Sequence, residues 1–198
     1  MNYLAHAFLS YDHAGLLTGN MIADHVKGQK AILNFPEEIA AGIHLHRKID
    51  AFTDQHPAVA RARVWFREHY HLYAGPILDT LWDHYLANDP ALFPSEEILK
   101  AFTNRTYALI HTTREWHPAA FERYFPHMEA HDWLYNYRSL QGIRKAMDGL
   151  LRRAKTMPPI QEAYDIFIGR YYQLGQCYQE LIGDLIGYVK KESTALLA

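Results

Sequence analysis

The chain has 198 residues, 49% of them hydrophobic, which is enough for one ordinary domain with a full core. The formal net charge of −2 excludes the broad basic field typical of nucleic-acid-binding proteins. The single cysteine, Cys177, excludes an internal disulfide and a thiolate metal site. There is no apolar run long enough to span a membrane and no pattern of a signal peptide at the N-terminus. We therefore predict a single domain over residues 1–198. We also predict that the protein is cytoplasmic and binds neither nucleic acid nor a membrane.

Helical periodicity recurs along the chain, and no alternating pattern of useful length indicates a strand. The predicted helices, in chain order, span residues 2–10, 15–27, 36–54, 57–70, 75–88, 95–115, 117–124, 136–154 and 159–191. Ser95, followed by two glutamates, is a typical N-cap residue with an acidic first turn. These elements predict an all-α helical bundle.

The first two predicted helices each place polar side chains among apolar ones. His6 lies on the first, and Asn20 and Asp24 lie four residues apart on the second, beside Leu16 and Leu17. Taken alone, a single histidine on a terminal helix is more often structural than a ligand. The interpretation favoured for Asp24 alone is a carboxylate at a helix edge with a hydrogen-bond partner.

The third predicted helix carries the clearest signal. At 100° per residue, His46 and Asp50 continue the apolar face that begins with Ile39 and Ile43. Burying an unpaired carboxylate costs several kcal/mol, so this position needs a partner. A metal ion and a buried histidine–aspartate hydrogen bond explain the pair equally well. Arg47, next to His46, could bind a phosphate with its forked donors.

The fifth predicted helix carries two carboxylates at the margin of its apolar stripe. Asp79 and Asp83 lie four residues apart, where like charges repel by a few tenths of a kcal/mol. A divalent cation reverses the sign of that interaction. His84 lies to one side of the pair and could be a ligand, a general acid or an exposed residue.

Oxygen donors with a few imidazoles suit Mn²⁺, Mg²⁺ or Fe²⁺ better than structural zinc. A helical bundle can hold such an ion between its helices, and the chemistry it serves best is hydrolysis of a phosphoester. The predicted metal ligands are His6, Asp24, His46, Asp50, Asp79 and Asp83. The predicted catalytic residues are Asp24, Asp83, His84 and Arg47.

Two groups of basic residues could dock an acidic protein, although such groups are usually only solvated faces. The first consists of Arg61, Arg63 and Arg67. The second lies on one predicted helix and consists of Arg144, Lys145, Arg152, Arg153 and Lys155.

Four segments together resemble the acyl carrier protein phosphodiesterases. They are MNYLAH (1–6), GNMIAD (19–24), GIHLHRKID (42–50) with the following Thr53 and Asp54, and WDHYL (82–86). Their order and spacing match over about the first ninety residues, and four ordered motifs are far more specific than one.

The resemblance implies an all-α fold related to the HD-domain phosphohydrolases and a phosphodiesterase that depends on Mn²⁺ or Mg²⁺. The implied reaction removes 4′-phosphopantetheine from the serine of holo-acyl carrier protein, an acidic partner. The His-Asp doublet of the usual HD pattern is absent from the matching segments, and His131-Asp132 lies outside them. The ligand assignment therefore rests on the helical faces. Two alternatives remain open: an HD-like hydrolase of a nucleotide or other small phosphoester, and a non-catalytic helical binding protein.

Overall fold

Every regular element that the computed structural model describes, over residues 1–154 and 156–196, is a helix. The α-helices are α1 (Tyr3–Phe8), α2 (Ala14–Ile22), α3 (Gln29–Ile32), α4 (Glu37–Gln55), α5 (Pro57–Tyr70), α6 (Ala74–Ala87), α7 (Glu96–His111), α8 (Ala119–Glu122), α9 (Phe125–Ala130), α10 (Trp133–Asn136), α11 (Leu140–Arg153), α12 (Gln161–Gly169) and α13 (Tyr171–Leu196). Short 3₁₀ turns span Ala23–His25, His71–Tyr73 and Arg114–Trp116. The predicted all-α class is confirmed. None of the described helices is both long and apolar enough to cross a membrane.

The long helices form where the sequence places apolar residues on one face. On α4, Ile39, Ile43, His46 and Ile49 are buried at a spacing of three or four residues. Helix α7 begins where predicted, because the side chain of Ser95 accepts a hydrogen bond from the backbone N–H of Ile98.

Two predicted helices differ from the structure, and three short helices were missed. The predicted helix 159–191 breaks at Arg170, which follows Gly169 and separates α12 from α13. The predicted helix 15–27 ends its α-helical part at Ile22 and continues as a 3₁₀ turn. The short helices α3, α9 and α10 were not predicted, because four to six residues are too few to show a periodic pattern.

Helices α2 and α4 cross unusually closely, and two glycines make this possible. A Cβ atom on Gly19 would lie 2.0 Å from the carbonyl oxygen of Ile39, and one on Gly42 would lie 2.3 Å from that of Leu16. Any larger residue at either position would force the helices apart. This contact brings the end of α2 against the middle of α4.

Helix α1 lies against both α2 and α6. Its residues Leu4 and Ala5 are fully buried in the same hydrophobic core as Trp82 of α6. The bundle therefore brings together, from α1, the end of α2, α4 and α6, the segments that carry the predicted site residues.

Candidate functional site

A cleft of about 680 Å³ opens between α1, α2, α4 and α6. Of the six predicted metal ligands, the structure brings five to its walls, and these are His6, Asp24, His46, Asp50 and Asp79. The cleft also contains residues from α8 onward, so segments distant in the sequence complete it.

Asn20 contacts His6 and His46, two of the three histidines that line the cleft. Its side-chain nitrogen donates to the carbonyl of His6 (3.0 Å) and to Ser10 Oγ (3.1 Å), which turns its side-chain oxygen toward Nδ1 of His6 at 2.7 Å. Its backbone carbonyl lies 2.8 Å from Nδ1 of His46. Because Asn20 is in the last turn of α2, this carbonyl is available to a side chain. Both rings therefore donate from Nδ1, and each presents Nε2 to the cleft.

The two Nε2 atoms meet the carboxylate of Asp50. Nε2 of His6 lies 3.3 Å from Asp50 Oδ1, and Nε2 of His46 lies 3.1 Å from Asp50 Oδ2. Nε2 of His6 and Oδ1 of Asp50 are buried without a hydrogen-bond partner in the described part of the chain. Since a neutral ring that donates from Nδ1 has only a lone pair at Nε2, these contacts place acceptor against acceptor. A proton or a cation must lie between them.

Burial disfavours charge on both rings, but the two pKa values move in opposite directions. For His46, hydrogen bonds to Asp24 and Asp50 outweigh burial and raise the pKa to about 9. For His6, burial and the neighbouring charge of His46 lower the pKa to about 4. Burial would raise the pKa of Asp50, but its close contacts with the two imidazole rings and the nearby positive charge of the N-terminal amino group hold it well below the usual range. The metal-free site thus keeps one proton on His46 and leaves His6 unsatisfied.

A divalent cation fits this donor set. The Nε2 and carboxylate atoms of His6, His46 and Asp50 lie within 4.8 Å of one another. Adjacent ligands of an octahedral ion with bonds of about 2.0–2.2 Å are about 3 Å apart, close to the observed contacts. Metal-binding histidines typically donate from their other ring nitrogen to an oxygen, as both rings here do from Nδ1 to Asn20.

Asp24 and Asp79 lie at the margins of this centre. Asp24 Oδ1 is 3.4 Å from Nε2 of His46, and its hydrogen bond to that ring lowers its pKa. Asp79 Oδ1 accepts a hydrogen bond at 2.9 Å from the amino nitrogen of Met1, which also lies 3.6 Å from Asp50 Oδ1. Asp24 has the more exposed side chain, with 73% of its surface accessible.

The structure does not bring Asp83 into the cleft. Its oxygens accept hydrogen bonds from the backbone N–H groups of Leu4 (2.8 Å) and Ala5 (3.1 Å), and the residue is fully buried. Burial raises the pKa of Asp83 to about 7, against the effect of the Leu4 bond. The unpaired N–H groups at the start of α1 attract this carboxylate. Asp83 therefore anchors the helix that carries His6, and we no longer place it among the ligands.

His84 and Arg47 also lie away from the cleft. His84 donates from Nδ1 to the carbonyl of Tyr137 (2.8 Å) and accepts at Nε2 from the hydroxyl of Tyr171 (2.9 Å). Arg47 donates to the carbonyl of Val26 at 3.1 Å. Both side chains are engaged in holding other segments, so the expectation of a general acid at His84 and a phosphate clamp at Arg47 is corrected.

The arginines that do line the cleft are Arg123 and Arg153. Both are exposed, and neither forms an ion pair within the described residues. Arg153 belongs to the second predicted basic group, whereas Arg123 was missed because it follows the short helix α8 and shows no sequence pattern. Asn20 was noticed only as a neighbour of Asp24. Lys155 of the second basic group lies outside the described residues.

A family model described as "Acyl carrier protein phosphodiesterase" matches residues 1–185. The chain belongs to this family. Proteins named acyl carrier protein phosphodiesterase from Salmonella agona (strain SL483) and Salmonella newport (strain SL254) are each 32% identical to it over 167 residues. These alignments cover 84% of this chain and 86% of each relative. The predicted resemblance and the prediction of an enzyme, a hydrolase, are both confirmed.

No solved structure matches the chain. The relation to the HD-domain phosphohydrolases therefore stays a prediction.

Proposed function

We propose that this protein is a divalent-metal-dependent phosphodiesterase that hydrolyses the bond between 4′-phosphopantetheine and the serine of holo-acyl carrier protein. The observation that carries the proposal is that the Nε2 atoms of His6 and His46 both face the carboxylate of Asp50. Within the described residues, Nε2 of His6 has no hydrogen-bond partner. Membership of the family and the printed names of the relatives support the substrate.

We assign His6, His46 and Asp50 as ligands of the ion, with Asp24 at its exposed side. Two imidazoles with carboxylates suit Mn²⁺ or Fe²⁺, and Mg²⁺ less well because it prefers oxygen ligands. When bound, the ion supplies a Lewis acid for a phosphoryl oxygen and lowers the pKa of a bound water.

The other cleft residues bind the substrate and move its protons. Arg123 and Arg153 would hold the phosphoryl oxygens with charge-assisted hydrogen bonds. Asp24 has an exposed carboxylate beside the centre, and this carboxylate can accept the proton of the attacking water. The oxygen–phosphorus bond to water forms, the bond to the serine oxygen breaks, and that oxygen takes a proton from solvent. The products are the apo protein and 4′-phosphopantetheine.

The carrier protein would dock on the open side of the cleft, beyond Asp79. There Arg63 and Arg67 line a shallow cavity of about 590 Å³ that includes Asp79 and the highly exposed Leu72. Arg67 forms no ion pair within the described residues, so its charge is available to an acidic partner. Arg61 of the same predicted group instead pairs with Glu180 on the surface.

The test compares substrates and metal states on one protein preparation. Holo-acyl carrier protein, a small phosphodiester and a set of nucleotides are each incubated with the Mn²⁺-loaded protein and with chelated protein. We expect release of 4′-phosphopantetheine by the loaded protein alone. Preferred turnover of nucleotides would favour the alternative small-phosphoester hydrolase, and turnover unaffected by chelation would refute the metal requirement.

A further inference from the structure

A second cavity, of about 420 Å³, adjoins the metal cleft and shares no lining residue with the cavity at Arg67. It lies between α9, α10 and α11, and Asn2, Tyr3 and Arg153 line both this cavity and the cleft. The two spaces therefore meet at the arginine that we assign to the phosphate. Its volume lies within the range of about 300–1,000 Å³ typical of small-molecule sites.

The shape of this cavity suits an extended chain. One face of α11 forms its floor from Gly142 through Ala146 and Gly149 to Arg153. The eleven steps from Gly142 to Arg153, at about 1.5 Å each, give a length of about 16 Å. A Cβ atom on Gly149 would meet only a guanidinium nitrogen of Arg152, at 3.7 Å, so the space above this glycine is open.

The walls combine an aromatic surface and uncharged polar groups with the charged side chains of Lys145, Asp148 and Arg152. Trp133 stacks on Tyr124, with ring centroids 6.3 Å apart, and contacts Tyr3 at 6.5 Å. At the far end lie Ser139 and Gln141, and Gln141 has no side-chain hydrogen bond within the described residues. The aromatic surface and the amide of Gln141 match a chain with apolar stretches between amide groups.

We propose that this cavity binds the pantetheine arm of the substrate, with the phosphate at Arg153 and the amide groups along α11. The inference rests on the proposed function, because it names the position of that substrate's prosthetic group. A cavity of about 420 Å³ is too small for a folded protein, whereas Arg67 lines a separate cavity that adjoins the metal cleft at Pro76 and Asp79. The carrier protein and the arm would thus contact different walls of the metal cleft.

The main test fills the cavity with Gly149→Leu. Leucine has a higher helix propensity than glycine, so the variant should fold, and circular dichroism checks this. The matched control is Gly183→Leu on α13, where an added Cβ meets nothing within 4 Å. Calorimetry measures binding of free 4′-phosphopantetheine, a monoester product, to the Mn²⁺-loaded wild type and both variants.

We expect Gly149→Leu to weaken this binding at least about tenfold and Gly183→Leu to leave it unchanged. Gln141→Ala, which removes an exposed amide and no internal bond, should weaken it about two- to tenfold and keeps the test valid if Gly149→Leu fails to fold. On catalysis, Gly149→Leu should lower kcat/KM for holo-acyl carrier protein more than for a small phosphodiester.

The outcomes separate this inference from the proposed function. Equal binding by the wild type, Gly149→Leu and Gln141→Ala would overturn the assignment of the cavity, whatever the activity. If the wild type does not convert holo-acyl carrier protein, the proposed function fails. Even then, weaker binding of 4′-phosphopantetheine by Gly149→Leu than by the wild type would place the pantetheine chain in this cavity.

Discussion

The imidazole rings of His6 and His46 stack with their centroids 4.1 Å apart, and both turn Nε2 toward the carboxylate of Asp50. Both Nδ1 atoms already donate to oxygens of Asn20. Two imidazolium rings at this distance would repel, so a proton can satisfy only one of them. A divalent cation can accept the Nε2 lone pairs of both rings, and the proposed metal site rests on this arrangement.

Removal of one ring should abolish metal binding. We expect Mn²⁺ to raise the Tm of the wild type and to leave that of His46→Ala unchanged, because ion binding stabilises only the native state. His44→Ala, on the same helix but outside the cleft, is the matched control and should keep the full shift. Differential scanning calorimetry with and without a chelator measures it. A full shift in His46→Ala would rule out this ligand.

Metal binding should release a proton at pH 7. The pKa of His46 is raised to about 9 in the metal-free protein, so the ring is charged at pH 7 and must lose its proton to bind the ion. Affinity should therefore rise with pH up to about 9. Titrations in two buffers of different ionisation enthalpy measure the released proton, and identical heats in both buffers would contradict the charge assigned to His46.

Substitutions of Asp50 and Asp83 should have different effects, on function for the first and on stability for the second. Asp50→Asn should lose metal and turnover while the fold persists. Asp83→Asn should lower the free energy of unfolding by about 1–3 kcal/mol, since it breaks bonds to the backbone of Leu4 and Ala5. Urea unfolding and turnover are measured on both variants. Loss of metal with unchanged stability in Asp83→Asn would restore Asp83 as a ligand.

Substitutions of Arg153 and Arg47 should likewise affect different properties, turnover for the first and stability for the second. Arg153→Ala should lower kcat by about a hundredfold because a donor to the phosphoryl group is lost. Arg47→Ala should mainly cost stability, about 1 kcal/mol, because its guanidinium binds the carbonyl of Val26. Steady-state kinetics and thermal unfolding distinguish these effects. Equal activity of Arg153→Ala and the wild type would remove this arginine from the site.

The docking surface should respond to charge and salt. We expect Arg67→Glu to raise KM for holo-acyl carrier protein and the difference to shrink with added salt. Lys190→Glu, an exposed charge that lines none of the cavities described above, is the control. Turnover of a small phosphodiester should stay the same in both variants. A loss of both activities in Arg67→Glu would indicate damage to the site and refute docking there.

Sequence periodicity predicted the inner face of α4, because four turns of one helix fix which side chains share a face. His46 and Asp50 therefore lie together where they were expected. The partner of each polar group was not predictable in the same way. Asp83 also lies at a buried helix margin, but the N–H groups at the start of α1 donate hydrogen bonds to its carboxylate oxygens. Only the packed structure shows that contact.

The residues that reach the cleft from distant segments could not be predicted from any pattern in the sequence. Arg47 is adjacent to His46 in the chain, but one residue along a helix turns a side chain by about 100°, away from the cleft. Arg123 and Arg153 reach the cleft instead, by way of the connection after α8 and the end of α11. The close crossing at Gly19 and Gly42, which lets His46 reach the carbonyl of Asn20, likewise depends on two segments at once.

The most direct measurement is mass spectrometry of holo-acyl carrier protein after incubation with the wild-type protein and Mn²⁺, beside the His46→Ala and His44→Ala variants. We expect a mass loss equal to the 4′-phosphopantetheinyl group, leaving the apo protein, with the wild type and His44→Ala and none with His46→Ala. An unchanged mass with the metal-loaded wild type, or equal conversion by His46→Ala, would contradict it.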